Sequence, residues 1–429
     1  MDSKLLLTAA WTGAGTAIYI LVPATAPFFL PLALIFPLLW SAGDPYLKKR
    51  LLEPSALSAL LALTAAYLLI NASWSLEPSR AYVAVIVFVV MSLVLHVLIR
   101  TVPELPPKPL RAMARGFYVG YAACALVLTF ELAFNHAIHL TVFRALPALT
   151  PQMPGLVSEN GFIQGLPSAF LNRHIAALVF LLWPALLTAW ILGATRRARV
   201  ILLVCLLPVV SATYLSNHET SKLAIVGGAG AFLTAKLMPR TIKPLMVTAW
   251  LIACVAPLQL ASLAYDLQLH RAEWLQPSAR HRIVIWGVTS QRAAEAMLFG
   301  HGMASSRAIS KQQDEYPVYA PHTNFPLSVG PHAHNVYLQT WFDTGACGAV
   351  LLLMIGLLTL RAISRLAANA QPFFYAMYAT VALIAVSSFS LWSRPFLASF
   401  GICVIFAVLA WSFGRVAETT EPSRTLDWS

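Results

Sequence analysis

Charge is what this chain has least of. Of its 429 residues only 11% are Asp, Glu, Lys or Arg, and acid is the scarcer sign, 17 Asp and Glu against 29 Lys and Arg. With 59% hydrophobic residues and a mean hydropathy of +0.71, that scarcity excludes a water-soluble globule of this length. Cysteine is also sparse. Cys124, Cys205, Cys254, Cys347 and Cys403 all fall within apolar runs, which excludes a disulfide framework and makes them small hydrophobes. No G-x-x-x-x-G-K-S/T phosphate loop occurs, so ATP is not expected to drive any reaction. No H-E-x-x-H occurs, and no D-x-D or E-x-D lies outside the apolar runs on the face argued below to be external. His301, His322, His332 and His334 share one loop without a cysteine, so no metal and no cofactor are expected. No internal repeat of the kind that marks the inverted halves of a secondary transporter is visible.

Long apolar runs are what the chain has instead. About twelve are long enough for a hydrocarbon core roughly 30 Å thick, at 5–22, 25–42, 56–72, 80–99, 112–134, 168–193, 200–216, 222–238, 243–263, 336–360, 372–392 and 395–413. Backbone N–H and C=O groups in lipid need partners within their own segment, so each run is expected to be helical. The expected fold is an all-α polytopic membrane protein forming one integral membrane domain over 1–429, and the first span itself can serve as the insertion signal. With a cytoplasmic N-terminus, the inner loops collect Lys48, Lys49, Arg50, Arg100, Lys108, Arg111, Arg115, Arg196, Arg197, Arg199, Lys236, Arg240, Lys243, Arg361 and Arg365. Every short loop then obeys the positive-inside rule, and both termini are cytoplasmic. The net charge of +12 is therefore a topology signal that points to membrane lipids and not to a nucleic acid.

Two outer loops exceed the length of simple turns, 135–167 and 264–335; the second precedes the third-to-last span. A loop of that length in a packed protein is functional or disordered. The second holds Trp274, Trp286 and Tyr319, with a helix expected from about Ser278 to Leu298 that Gly300 stops, so it is expected to be folded. It re-enters the membrane at His334, whose imidazole can take a proton near neutral pH. The outer face keeps a few cations at membrane boundaries: Arg173 after Asn172, Lys222 after His218-Glu219-Thr220-Ser221, and Arg280 and Arg282 on the loop helix. A lipid-linked phosphate sits at that depth, where Arg clamps by paired hydrogen bonds and Lys by point charge; snorkelling to headgroups is the plain alternative for each. Arg280 and Arg282 lie roughly 200° apart around a helix, so one cleft does not take both. Asp314-Glu315 reads as a solvated loop pair.

Three patterns then carry a resemblance. His334-Asn335, nine residues, Gly345, two residues and Gly348 form an H-N-x9-G-x-x-G run; Arg282 and Trp286 form R-x-x-x-W; Leu298-Phe299-Gly300-His301-Gly302 forms L-F-G-x-G. In kind, order and placement on the large outer loop these resemble the signatures of the O-antigen ligase and polymerase superfamily. The strong motifs cover 278–348; the layout of spans extends the likeness over nearly the whole chain. One departure stands out: where relatives often carry Arg at the outer start of a span, this chain has Ser221-Lys222-Leu223, which keeps the charge and loses the two-pronged fork.

The resemblance implies a GT-C-like glycosyltransferase in the inner membrane of a Gram-negative bacterium. It would move a preassembled glycan from undecaprenyl diphosphate to an acceptor on the periplasmic face. In that reading Arg282 and Lys222 meet the charge growing on the diphosphate, and His334 accepts or orients the proton of the attacking hydroxyl. Arg280, Arg173, Asn335, Trp286 and His218 are expected to bind substrate. Ligation of O-antigen to the lipid A-core is the preferred reaction, on the His334 region and the length of the loop before it. Polymerisation of repeat units and transfer to a protein hydroxyl share its chemistry. A transporter of lipid-linked sugar is the reading from another class, but it should place charges midway through spans, and Glu131, near an outer end, is the main carboxylate seen there.

Overall fold

A computed structural model describes residues 2–150, 155–159, 162–167, 169–315, 317–387 and 389–420. It is an all-α bundle, with one two-stranded antiparallel hairpin, Val157–Glu159 against Phe162–Gly165, in the first outer loop. Each of the expected spans falls on a helix or a bent helix pair. The count of about twelve nevertheless needs correcting. Eight helices among the described residues are long and apolar enough to cross a membrane singly, and up to ten if each of two bent pairs is one span. The other two are Glu219–Leu237, whose apolar content Lys222 and Lys236 dilute, and Gln371–Val386, which is only 16 residues long.

Proline accounts for the bends. Asn172–Phe180 and Leu182–Leu192 meet at 45°; Pro184 has no N–H for the Phe180 carbonyl, and the thiol of Cys403 donates to that oxygen instead, at 3.0 Å. Pro239–Val255 and Pro257–Asp266 meet at 69°. There the indole of Trp341 donates to the Cys254 carbonyl, in the last turn before the bend, at 2.8 Å. At each bend a backbone carbonyl is thus satisfied from another helix.

The last helix, Arg394–Thr420, is apolar on all sides and is the most deeply buried of the spans, as expected of a helix at the centre of a bundle. Around it pack Pro107–Ala133, Pro78–Thr101 and Leu182–Leu192. Glu131 is fully buried at the outer end of Pro107–Ala133, where it accepts from the Ile138 N–H at 2.6 Å and pairs with His139 Nδ1 at 2.5 Å. It ties down the root of the first outer loop. In the second, a helix runs Pro277–Glu295, opened by Pro277 at its first position, and a shorter one Ser306–Glu315.

Candidate active site

The glycine motifs turn out to be a backbone clasp. Helix Val336–Ile363 breaks at Gly345 (φ 62°, ψ −162°), a conformation open essentially to glycine alone. Into this break the chain after the loop helix is laid. Ala346 N–H donates to Met297 O at 2.8 Å, His301 N–H to Phe342 O at 2.9 Å and Gly302 N–H to Asp343 O at 3.0 Å. A Cβ on Gly300 would lie 2.4 Å from the Asp343 carbonyl carbon, and one on Gly345 would lie 2.5 Å from that of Leu298. The two glycines face each other across a contact that admits no side chain. Helix Ala56–Asn71 seals it from the side: Tyr67 donates to Thr344 O at 2.6 Å, and the Asn71 amide donates to Phe299 O at 2.9 Å while accepting from Met303 N–H at 2.8 Å. The H-N and L-F-G motifs are thereby held as one unit.

Asp343 is fully buried inside this clasp and accepts from the Trp392 indole at 2.7 Å. Glu131 is therefore not the only carboxylate within the spans. Gln339, one turn earlier, accepts from the Leu391 N–H at 2.9 Å. Together they fix the turn between the last two helices, from Ser387 to Ser393, against the kinked helix.

His334 is presented by residues on both sides of it. Its own backbone is left-handed (φ 53°), an uncommon state for a side chain of this size that costs on the order of 1 kcal/mol or more and is favoured only where neighbours enforce it. Trp286 donates its indole N–H to Ala333 O at 2.8 Å, and Asn335 accepts the Leu338 N–H at 3.1 Å as the helix cap. Both are expected to touch substrate; in the fold both also hold the chain on either side of the imidazole. Capping by Asn is the usual solution for the free N–H groups at a helix start.

A cleft of about 350 Å³ opens beside His334. Ser278, His281, Arg282 and Ile285 of the loop helix form one wall, and Ser310, Asp314, Ser328 and Gly330 lie on the other side. Arg282 is half-buried and donates to the Ser387 hydroxyl at 3.0 Å. Burial pulls its pKa below the ordinary arginine value, and no carboxylate pairs with it among the described residues. His332 brings its ring centre 3.9 Å from that of His334, the two rings tilted by 45°. Its pKa is lowered to about 3, by burial first and then by His334, Arg282 and Arg173. His332 is thus neutral at any physiological pH, and two arginines act on the same ring.

Arg173 and His218 meet at Phe389, the guanidinium 6.0 Å from the ring centre and the imidazole stacked at 6.0 Å. His218 is buried, bonded through Nδ1 to Ser221 Oγ at 2.6 Å, and its pKa falls to about 4 through burial first and the field of Arg282 second. Lys222 is held differently: its ammonium pairs with Glu219 at 2.8 Å on the same helix. Arg280 lies off the cleft, 6.0 Å from the Phe325 ring, as its angular offset from Arg282 requires. Of His301, His322, His332 and His334, the first bonds the Arg292 carbonyl at 2.8 Å and the second is exposed; His332 and His334 come together. Ser387, Phe389 and Trp392 were not foreseen, because no motif marks the turn that carries them.

Comparison with known proteins places these residues in a recognised context. Residues 168–353 match the family described as O-antigen ligase, a window that runs from Arg173 to the far side of Gly348 and leaves out the Ser387 turn. Proteins provisionally named polysaccharide ligase are similar to this chain. That of Rickettsia conorii is 26% identical over 255 residues, 58% of this chain and 60% of the relative. That of Rickettsia felis is 26% identical over 248 residues, 55% and 56%, and that of Rickettsia prowazekii 25% identical over 241 residues. The chain spans less than two thirds of the length of these relatives.

Proposed function

We propose that this chain, a member of the O-antigen ligase family through residues 168–353, joins a preassembled glycan carried on undecaprenyl diphosphate to a sugar hydroxyl of the lipid A-core. The observation that carries this reading is Arg282: a half-buried guanidinium with no carboxylate partner among the described residues, opening into the same 350 Å³ cleft as His334. A buried cation needs a counter-charge, and a diphosphate supplies one in the geometry that a guanidinium binds best.

The acceptor oxygen attacks the anomeric carbon as the bond from that carbon to the diphosphate oxygen breaks. The hydroxyl proton goes to His334, and the electron pair leaves with the diphosphate. Arg282, with Arg173, whose field also reaches His332, stabilises the charge that grows there. His332, neutral, keeps the two cations and His334 in one arrangement without adding a third charge. Lys222, already paired with Glu219, has a smaller part than Arg282. The distribution of basic loops supports a periplasmic cleft in a Gram-negative inner membrane, with cytoplasmic termini. Fixed cations fill the role that a divalent ion has in other lipid-donor glycosyltransferases.

The lipopolysaccharide ladder on a gel tests the acceptor. Deleting the gene should remove O-antigen from lipopolysaccharide while long glycan accumulates on the carrier lipid, and the wild-type gene should restore the ladder. A core that carries one repeat unit would mean polymerisation instead, and an unchanged ladder would mean a protein acceptor.

A further inference from the structure

The cleft has two ends of opposite character, and only the cationic one is used above. Helix Ser306–Glu315 places Ser310 and Asp314 one turn apart, on one face. Ser310 and Ser328 are buried, 3% and 4% exposed, yet both line the cleft. Their hydroxyls lie 3.1 Å apart, and Ser310 Oγ also donates to Asp314 Oδ2 at 3.1 Å. Ser328 further accepts the Gly330 N–H at 3.1 Å, and Gln313 accepts the Val329 N–H at 2.9 Å, binding the helix to the returning segment. One oxygen of Asp314 is thus positioned by the fold, while the other is uncommitted among the described residues.

Helix stability gives no reason for this carboxylate. Asp314 stands, exposed, in the last turn of its helix, where the macrodipole disfavours negative charge. It does not serve as counter-ion to Arg282 either, since no carboxylate offsets the effect of burial on that guanidinium. A diphosphate would be repelled from this end and drawn to the other. A sugar would not: a carboxylate accepts hydrogen bonds from neighbouring hydroxyls strongly because the acceptor is charged.

We infer that Asp314, with Ser310 and Ser328, forms the subsite that recognises the hydroxyls of the acceptor saccharide and so sets acceptor specificity. The inference rests on the transferase reading of the same cleft: the donor's diphosphate occupies the Arg282 end, and the acceptor enters from the Asp314 end with its reacting hydroxyl toward His334.

Equilibrium binding of core oligosaccharide, released by mild acid from the host strain's lipopolysaccharide, tests it on the purified full chain in lipid nanodiscs. Removing a hydrogen bond to a charged group costs about 1.5–3 kcal/mol, so Asp314→Ala should weaken binding at least tenfold. Asp314→Asn, which keeps shape and one acceptor, should fall between. In transfer assays both should raise the acceptor KM and leave the donor KM as it was. Wild-type protein that fails to bind the oligosaccharide, or variants that bind it as wild type does, would overturn the subsite. Asp314-dependent binding without any transfer to the core would count against the ligase reading alone and leave the subsite standing.

Discussion

Arg282→Ala should lower the transfer rate at saturating donor by about 10²–10³-fold, the usual loss when one preorganised partner of a developing oxyanion is removed. The guanidinium is half-buried, fixed to the Ser387 hydroxyl at 3.0 Å and turned into the cleft, so it needs no reorganisation as charge develops. Arg282→Lys should recover only part of the rate, because an ammonium carries the charge without the planar fork. If Arg173 meets the same leaving group, the double alanine variant should be little worse than the worse single one, since residues that act as a unit are not additive. Lys222→Ala should be mild by comparison: an exposed pair such as that with Glu219 is worth about 0–1 kcal/mol. Initial rates normalised to folded protein in the membrane decide this, and full activity in Arg282→Ala would remove the loop helix from the site.

His334→Ala should cost about 10²–10⁴-fold in kcat, the range for loss of a positioned general base, while membrane insertion and donor binding stay intact. Its neighbours separate chemistry from support. His332 lies against it, neutral and buried, and His332→Ala should cost less than His334→Ala. Transfer at near-normal rate by His334→Ala would end its assignment as the proton acceptor.

The legible part of this site was what the chain keeps close in sequence. His334, Arg282 and Trp286 lie within 53 positions, on a loop between spans whose apolar runs are hard to misread. Their roles were less legible than their places. Asn335 and Trp286 were expected at the substrate, and the fold adds a helix cap and a carbonyl contact that their motifs do not announce. Nothing in a motif distinguishes a residue that touches substrate from one that holds its neighbour. The turn from Ser387 to Ser393 was invisible because it has no periodicity and meets Arg282 only after the chain has crossed two further helices. The span count differs from expectation at two other helices: Lys222 and Lys236 dilute Glu219–Leu237, and Gln371–Val386 is only 16 residues long, whereas Pro184 and Pro257 merely bend spans already counted once. Asp314 is exposed, as expected of a solvated loop charge, and only the fold brings it to the lining of the cleft that Arg282 and His334 share.

Purified protein given lipid-diphosphate-linked glycan and lipid A-core, in excess EDTA and without ATP, tests the central claim most directly. Fixed cations and the donor's own diphosphate bond suffice on this account. Glycan-bearing lipid A-core and free undecaprenyl diphosphate should therefore form in equal amounts, at nearly the rate seen without chelator. Loss of transfer in EDTA with recovery on adding magnesium or manganese would contradict it.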